Sequence, residues 1–265
     1  MDVTSIEPGQ AIAVDWSAER YHADTTAISR SQLVELMERP ALYYAAREAK
    51  IVPPPKQTKA MELGQDVHTC VLEPHLWPAR AAQMKAKDIE HVMWMASSVR
   101  SHASVRALYT RPHVCEQTIL WRTDPIYYEV DGEPRESTLL VRIRVDAMFD
   151  FGETLLVPDI KTTDNAEISA FRRSCAKYRY HVQAALYRDA IAALHPDRHV
   201  HFMFVAVMKS APFESACYDL DDDFVQRGRN QYQDAMVDLL RRRETGDWLA
   251  DWQRSVHTLE APKWA

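Results

Sequence analysis

Two apolar runs meet at a glycine: "LLVRIRVDAMFD" (Leu139 to Asp150) and "ETLLVPDIKTT" (Glu153 to Thr163) are separated only by Phe151 and Gly152. Side chains alternate across a strand, so Val141, Ile143 and Val145 share one face while Arg142, Arg144 and Asp146 share the other. The same parity groups Leu155, Val157, Asp159 and Lys161, with Asp159 and Lys161 at the strand end. If the strands pair through a turn at Gly152, Asp146 and Asp159 approach each other across the ladder. Two carboxylates placed together repel unless a divalent cation sits between them. Hard oxygen donors and unclustered cysteines favour Mg²⁺ for that position. A cation held by Asp146 and Asp159 would lower the pKa of a bound water, and an ammonium at Lys161 would orient that water or stabilise developing charge. Phosphodiester hydrolysis uses this set of parts.

The surrounding pattern reads as an α/β chain with a mixed central sheet. "ISRSQLVELMERPALYY" predicts a helix capped by Ser29 or Ser31 and interrupted at Pro40. "VPPPK" (Val52 to Lys56) reads as an extended bridge between packed elements, and Lys59 to Leu72 as a helix with Gly64 and His68 on one face. Helix continues from Ala79 to Tyr109. Strand formers begin at "HVCEQTILW", and a hairpin turns near Asp131-Gly132. Helices are expected over Ala166–Cys175 and Tyr180–Leu194, strands at "HVHFMFVAVMK" and "FESACYDL", and a last helix after "DDDF". The expected organisation is one domain over residues 1–265: a mainly helical part to 110, a catalytic sheet and helices over 111–220, then a C-terminal helix and tail containing Trp248, Trp252 and Trp264.

Composition narrows the class. The net charge of -6 argues against a uniformly basic DNA-coating protein but allows a local basic groove. No apolar run approaches the ~18 residues of a membrane span, and the acidic start is unlike a signal peptide. The expectation is therefore a cytoplasmic protein without a membrane partner. The cysteines Cys70, Cys115, Cys175 and Cys217 form no C-x-x-C pair, so neither a zinc site nor a disulfide framework is expected.

Taken alone, each remaining piece is bland. Glu116 in "CEQTILW" reads as a surface carboxylate, His68 as a hydrogen-bonded structural histidine, and Gln183 and Tyr187 as a half-buried helical pair. Their order is more specific. "ISRSQLVELMERPALYY", "MELGQDVHTCVLEP", "CEQTILW", "RVDAMFD" with "LLVPDIKTT", and "QAALY" together resemble the RecB-like branch of the PD-(D/E)XK nuclease superfamily, and within it the RecE (exodeoxyribonuclease VIII) family.

That resemblance implies a restriction-endonuclease-like core, a mixed central β-sheet flanked by helices. It implies that His68, Glu116, Asp146, Asp159 and the backbone carbonyl of Ile160 surround Mg²⁺, with Mn²⁺ able to substitute, and that Lys161 is the catalytic lysine. Glu129, Glu133 and Glu136 compete with Glu116 for the glutamate position. Gln183 and Tyr187 would position the substrate strand or the active-site helix. The implied activity is 5′ to 3′ degradation of linear double-stranded DNA, leaving a 3′ tail for a RecT-type annealing protein in phage-type recombination. The implied assembly is a homo-oligomeric ring, a tetramer. The cysteine spacing supplies no iron–sulfur cluster.

Arg142 and Arg144, with Arg172, Arg173, Lys177 and Arg179, are candidates to line a DNA channel, although the second group also reads as a solvated helix end. Ser29, Arg30 and Ser31 are candidates to meet a 5′ phosphate at a helix N-terminus. An endonuclease or single-strand nuclease of the same fold, a non-catalytic DNA-end-binding module, and a small-phosphoester hydrolase are the alternatives.

Overall fold

The computed structural model describes residues 5–53 and 56–261. Pro54 and Pro55 of the proline run, and Trp264, lie outside the described residues. In chain order the elements are β1 (Ala11–Val14), α1 (Ala18–Ala23), β2 (Ile28–Ser29), α2 (Arg30–Glu38), α3 (Pro40–Tyr43), a π-helical turn (Tyr44–Glu48), α4 (Lys59–Leu72), α5 (Trp77–Ala81), α6 (Ala86–Ser101), β3 (Val114–Arg122), β4 (Ile126–Val130), β5 (Glu133–Ser137), β6 (Leu140–Asp150), β7 (Thr154–Thr163), α7 (Ile168–Lys177), α8 (Tyr180–Leu194), β8 (His199–Met208), β9 (Ser215–Asp219) and α9 (Asp222–Thr245).

The main sheet runs β1-β3-β6-β7-β8-β9, with the short β2 added to β6. The β2–β6 and β7–β8 pairings are parallel and the others antiparallel. A parallel neighbour requires a crossover, and the chain between β7 and β8 supplies one in α7 and α8. The hairpin β4–β5 stands apart from this sheet and turns at Asp131 and Gly132, both in the left-handed region. The expected hairpin therefore ends at Ser137. The strand that follows, β6, pairs with β3 and β2 instead of continuing that hairpin.

Helices cover both faces. On one face Leu33 and Leu36 of α2, Leu186 and Ile191 of α8 and Leu239 of α9 pack with Val141, Ile143, Val145, Leu155 and Val157. On the other, Val67 and Val71 of α4 and Val92, Met95 and Val99 of α6 pack with Ala147, Phe149 and Ile160. Each fully buried aliphatic side chain contributes about 1.5–3 kcal/mol relative to exposure, so α4 and α8 are clamped to opposite faces of the sheet.

The strand parity departs from simple alternation at one place. Val145 belongs to the first core and Ala147 to the second, so β6 reverses its faces across Asp146. Opposite it, the ladder with β3 runs Gln117↔Val145 and Cys115↔Ala147 and passes over Glu116, whose φ is +50°. A left-handed residue inside a strand re-aims its side chain and interrupts pairing.

The N-terminal expectations resolve in detail. Ser29 caps α2 through a capping box with Gln32, and Pro40 opens α3 after α2 has ended. Trp248 stacks on Tyr43 and Tyr44, at centroid separations of 6.0 and 5.1 Å, whereas Trp252 is 68% exposed.

Candidate active site

The site is a fork in the sheet. β6 and β7 are bonded only beside their turn, at Phe149↔Leu156 and Asp150↔Leu155, whereas β7 stays paired with β8 over its whole length. Where β6 peels away, the Asp146 carboxylate takes the place of a strand partner and accepts the Ile160 N–H at 3.2 Å. Asp146 and Asp159 therefore face each other across an opened ladder instead of a continuous one.

Three more elements converge on the fork. Helix α4, held by Val67, Cys70 and Val71, lays His68 against β7, where its Nε2–H donates to the Ile160 carbonyl at 2.8 Å. That bond turns Nδ1 toward Asp146, 3.4 Å from its Oδ2. From β3, the left-handed Glu116 brings its carboxylate in, where the Arg144 guanidinium donates to it at 2.7 Å. His68, Glu116 and Asp146 offer ligand atoms all within 4.8 Å of one another. On the far side of β7, Gln183 of α8 donates to Asp159 Oδ1 at 2.5 Å, and the Lys161 ammonium lies against Asp159 Oδ2.

The electrostatics follow from this crowding. Burial pushes the Asp146 carboxyl up to about 7, with Asp159 adding to the rise and His68 and Lys161 opposing it. Burial alone would lower the Lys161 ammonium, but Asp159 and Asp146 beside it more than offset that and hold it above the usual lysine value. Lys161 also lies 5.1 Å from the Tyr180 ring centroid and 5.9 Å from that of Phe204. The imidazole Nδ1 beside a carboxylate oxygen, two further half-buried or buried carboxylates, and an Asp159 Oδ2 without an aligned hydrogen bond make a donor set rich in oxygen. Such a set fits a hard divalent cation.

The geometry also yields a pH prediction. A carboxyl whose folded pKa is raised keeps its proton in the folded chain while the unfolded chain loses it. Asp146 therefore costs the cation-free protein stability that is intact below about pH 4 and is progressively lost up to about pH 7. With chelator present, urea denaturation should show Asp146→Asn gaining on the parent across that window, by roughly a few kcal/mol at pH 8. Parallel stability curves for the two proteins would refute the burial of a proton-holding acid here.

The structure distributes the expected residues as follows. His68, Glu116 and Asp146 are brought together, while Asp159 is held by Gln183 and Lys161, and the Ile160 carbonyl is engaged by His68. Tyr187, one turn beyond Gln183, is buried edge-on to Phe202. Glu129, Glu133 and Glu136 sit on the separate hairpin.

The DNA-facing expectations are corrected in part. Arg142 is buried, paired with Asp24 at 2.9 Å and stacked on Tyr21, so it presents no surface charge. Arg144 is committed to Glu116, Thr118 and the Trp16 carbonyl. The reason in both cases is that α1 and the segments flanking it cover this half of the β6 face. Ser29 is used as a helix cap, with Ser31 3.0 Å from it, and the Arg30 guanidinium donates to the carbonyls of Tyr178 and Arg179. Arg179 is bonded to Gln231. Arg172, Arg173 and Lys177 are exposed on α7. Two site residues escape a reading of the chain: Arg144 as the partner of Glu116, and Tyr180 beside Lys161. The only signal for the second is the closely spaced aromatics of "YRY" at the start of α8.

A mixed sheet with an aspartate on one strand, Asp-x-Lys on the next, and helices on both faces defines a PD-(D/E)XK-like, restriction-endonuclease-like α/β fold. Residues 29–249 match the family described as "PDDEXK-like domain of unknown function (DUF3799)", and the chain belongs to that family. A solved structure from Eubacterium rectale, described as "Putative exonuclease", aligns with a TM-score of 0.63 at 12% identity, covering 94% of this chain and 96% of its own. The structure of SSO0001 aligns with a TM-score of 0.26 at 12% identity, covering 77% of this chain and 82% of its own. No curated protein matches the chain. No helix among the described residues is long and apolar enough to cross a membrane.

Proposed function

We propose that the chain is a metal-dependent DNA nuclease, and more specifically a 5′ to 3′ double-strand exonuclease of the RecE type that uses Mg²⁺, or Mn²⁺ in its place. The observation that carries the nuclease reading is the fork itself: Asp146 facing Asp159 and Lys161 across strands that have parted, with His68 and Glu116 closing the site. A purely structural role gives no reason to gather a lysine and five polar site groups, Asp159 and Gln183 buried and the others half-buried, where a sheet should be paired, since withdrawing polar groups from water costs stability.

His68 Nδ1, Glu116, Asp146 and Asp159 would hold the cation. When bound, it lowers the pKa of a water and neutralises charge on a phosphate oxygen. Lys161 keeps an ammonium beside that position, fixed by Asp159, to hydrogen-bond the attacking water or the developing negative charge. Gln183 fixes the Asp159 carboxylate and Arg144 fixes that of Glu116, so both would be held in place for a cation.

The exonuclease direction, the closed ring and the RecT-type partner rest on the resemblance of the ordered motifs. The Eubacterium rectale protein's description agrees with exonuclease action. The test is degradation of linear duplex DNA labelled at one 5′ end, with Mg²⁺, beside a covalently closed circle of the same sequence. Early release of the 5′ label with an intact circle is the expected result. Cleavage of the circle would favour the endonuclease reading, and cation-dependent binding without hydrolysis would favour the non-catalytic end-binding module.

A further inference from the structure

We propose that the corner between α7 and α8 is a stacking platform for an unpaired nucleobase, with Tyr178 as the stacking residue; the inference rests on the nuclease reading and names how the strand end is presented to the site. Tyr178 closes α7 and is 48% exposed. Its ring lies 5.7 Å from that of Tyr180 at an interplanar angle of 31°, and Tyr180 in turn lies 5.1 Å from the Lys161 ammonium. An aromatic path thus leads from the catalytic lysine to solvent in two ring contacts.

The corner is held rigidly for an exposed turn. Arg179 takes a left-handed conformation, with φ +52°. The Arg30 guanidinium reaches from the first turn of α2 to the carbonyls on either side of that bend, at 2.9 Å for Arg179, and the Arg179 side chain is bonded to Gln231. Two separate elements therefore hold the backbone that carries Tyr178, which lowers the ordering cost of a stacked ligand.

Charge completes the surface. The Lys177 ammonium lies over the Tyr178 ring at 5.1 Å, and Arg173 is exposed one helical turn earlier. An exposed cation over a ring is a weak contact. An incoming base displaces it, and the ammonium turns to the phosphate of the same nucleotide. Aromatic faces interleaved with lysine and arginine suit single-stranded nucleic acid, because an unpaired base has a free π-face whatever its identity. Bases inside a duplex are already stacked on both sides.

The test uses the full chain with Ca²⁺ to hold off hydrolysis and a duplex bearing a short overhang with 2-aminopurine at its terminal unpaired position. The parent and Tyr178→Phe should quench the fluorescence. Tyr178→Ala should lose most of the quench and bind the overhang roughly five- to tenfold more weakly. Quenching by Tyr178→Ala equal to the parent, or none by the parent, would overturn the inference. Failure of the parent to hydrolyse DNA with Mg²⁺ would overturn the nuclease reading instead, and the quench measurement would still decide the role of Tyr178.

Discussion

Lys161→Ala is expected to lower the rate of DNA hydrolysis by roughly 100- to 1,000-fold, the range seen when one preorganised donor to a transition-state charge is removed. The loss should fall on kcat and leave the apparent affinity for DNA nearly unchanged, because the ammonium lies against Asp159 and between aromatic rings rather than on a basic surface. The cation requirement should move the other way. Removing a positive charge beside Asp146 and Asp159 lets the carboxylates bind a divalent ion at least as tightly, so half-maximal Mg²⁺ should stay constant or fall. Asp159→Asn should show the contrary pattern, with a higher half-maximal Mg²⁺ and Lys161 left without its counter-ion. Single-turnover rates over a Mg²⁺ titration separate the two cases. A Lys161→Ala protein that cleaves at the parental rate would remove Lys161 from the chemistry.

Gly228→Ala should be strongly destabilising, the tightest case among the glycines. In α9, a Cβ at this position would lie 2.2 Å from the His181 carbonyl oxygen, 2.5 Å from its carbon and 2.9 Å from Val182 N. All three are backbone atoms of α8, so no side chain can swing aside and the helices must separate. Overpacking of a well-filled contact costs about 1–3 kcal/mol and more where backbone must move, so a loss of roughly 3 kcal/mol is expected. Because His181 and Val182 immediately precede Gln183, the displaced helix also withdraws the donor that fixes Asp159. Thermal denaturation should show the stability loss, and hydrolysis measured well below the transition should still be reduced. A Gly228→Ala protein as stable as the parent would mean that α8 and α9 cross with more room than this geometry allows.

Lys161 and Gly228 owe their positions to different levels of organisation. Asp159 and Lys161 are legible from the chain because their placement depends on local alternation and one turn at Gly152. Gln183 and Tyr187 are legible as one face of a helix for the same reason. Gly228 carries no such signal: an α-helical glycine with ordinary backbone angles shows its purpose only when the helix crossing it is known.

The basic residues show the limit most clearly. Alternation correctly separates Arg142 and Arg144 from Val141, Ile143 and Val145, yet both guanidinia are consumed inside the protein, by Asp24 and Tyr21 for one and by Glu116, Thr118 and Trp16 for the other. Those partners come from segments that lie from 26 to 128 residues away along the chain. Charge on an outward strand face is visible in the sequence; whether water or another element covers that face is not.

By itself, then, the sequence determined the α/β class, the order of strands and helices around the turn at Gly152, and the candidate acids and lysine, because periodicity and turn chemistry act over a few residues. Only the tertiary structure decided that β6 and β7 part into a fork, that β6 reverses its faces at Asp146 opposite the left-handed Glu116, and that Asp146 rather than a strand partner satisfies Ile160. Those outcomes depend on how α4 and α8 pack on opposite faces of the sheet, and that packing exists only once distant apolar surfaces have been buried together.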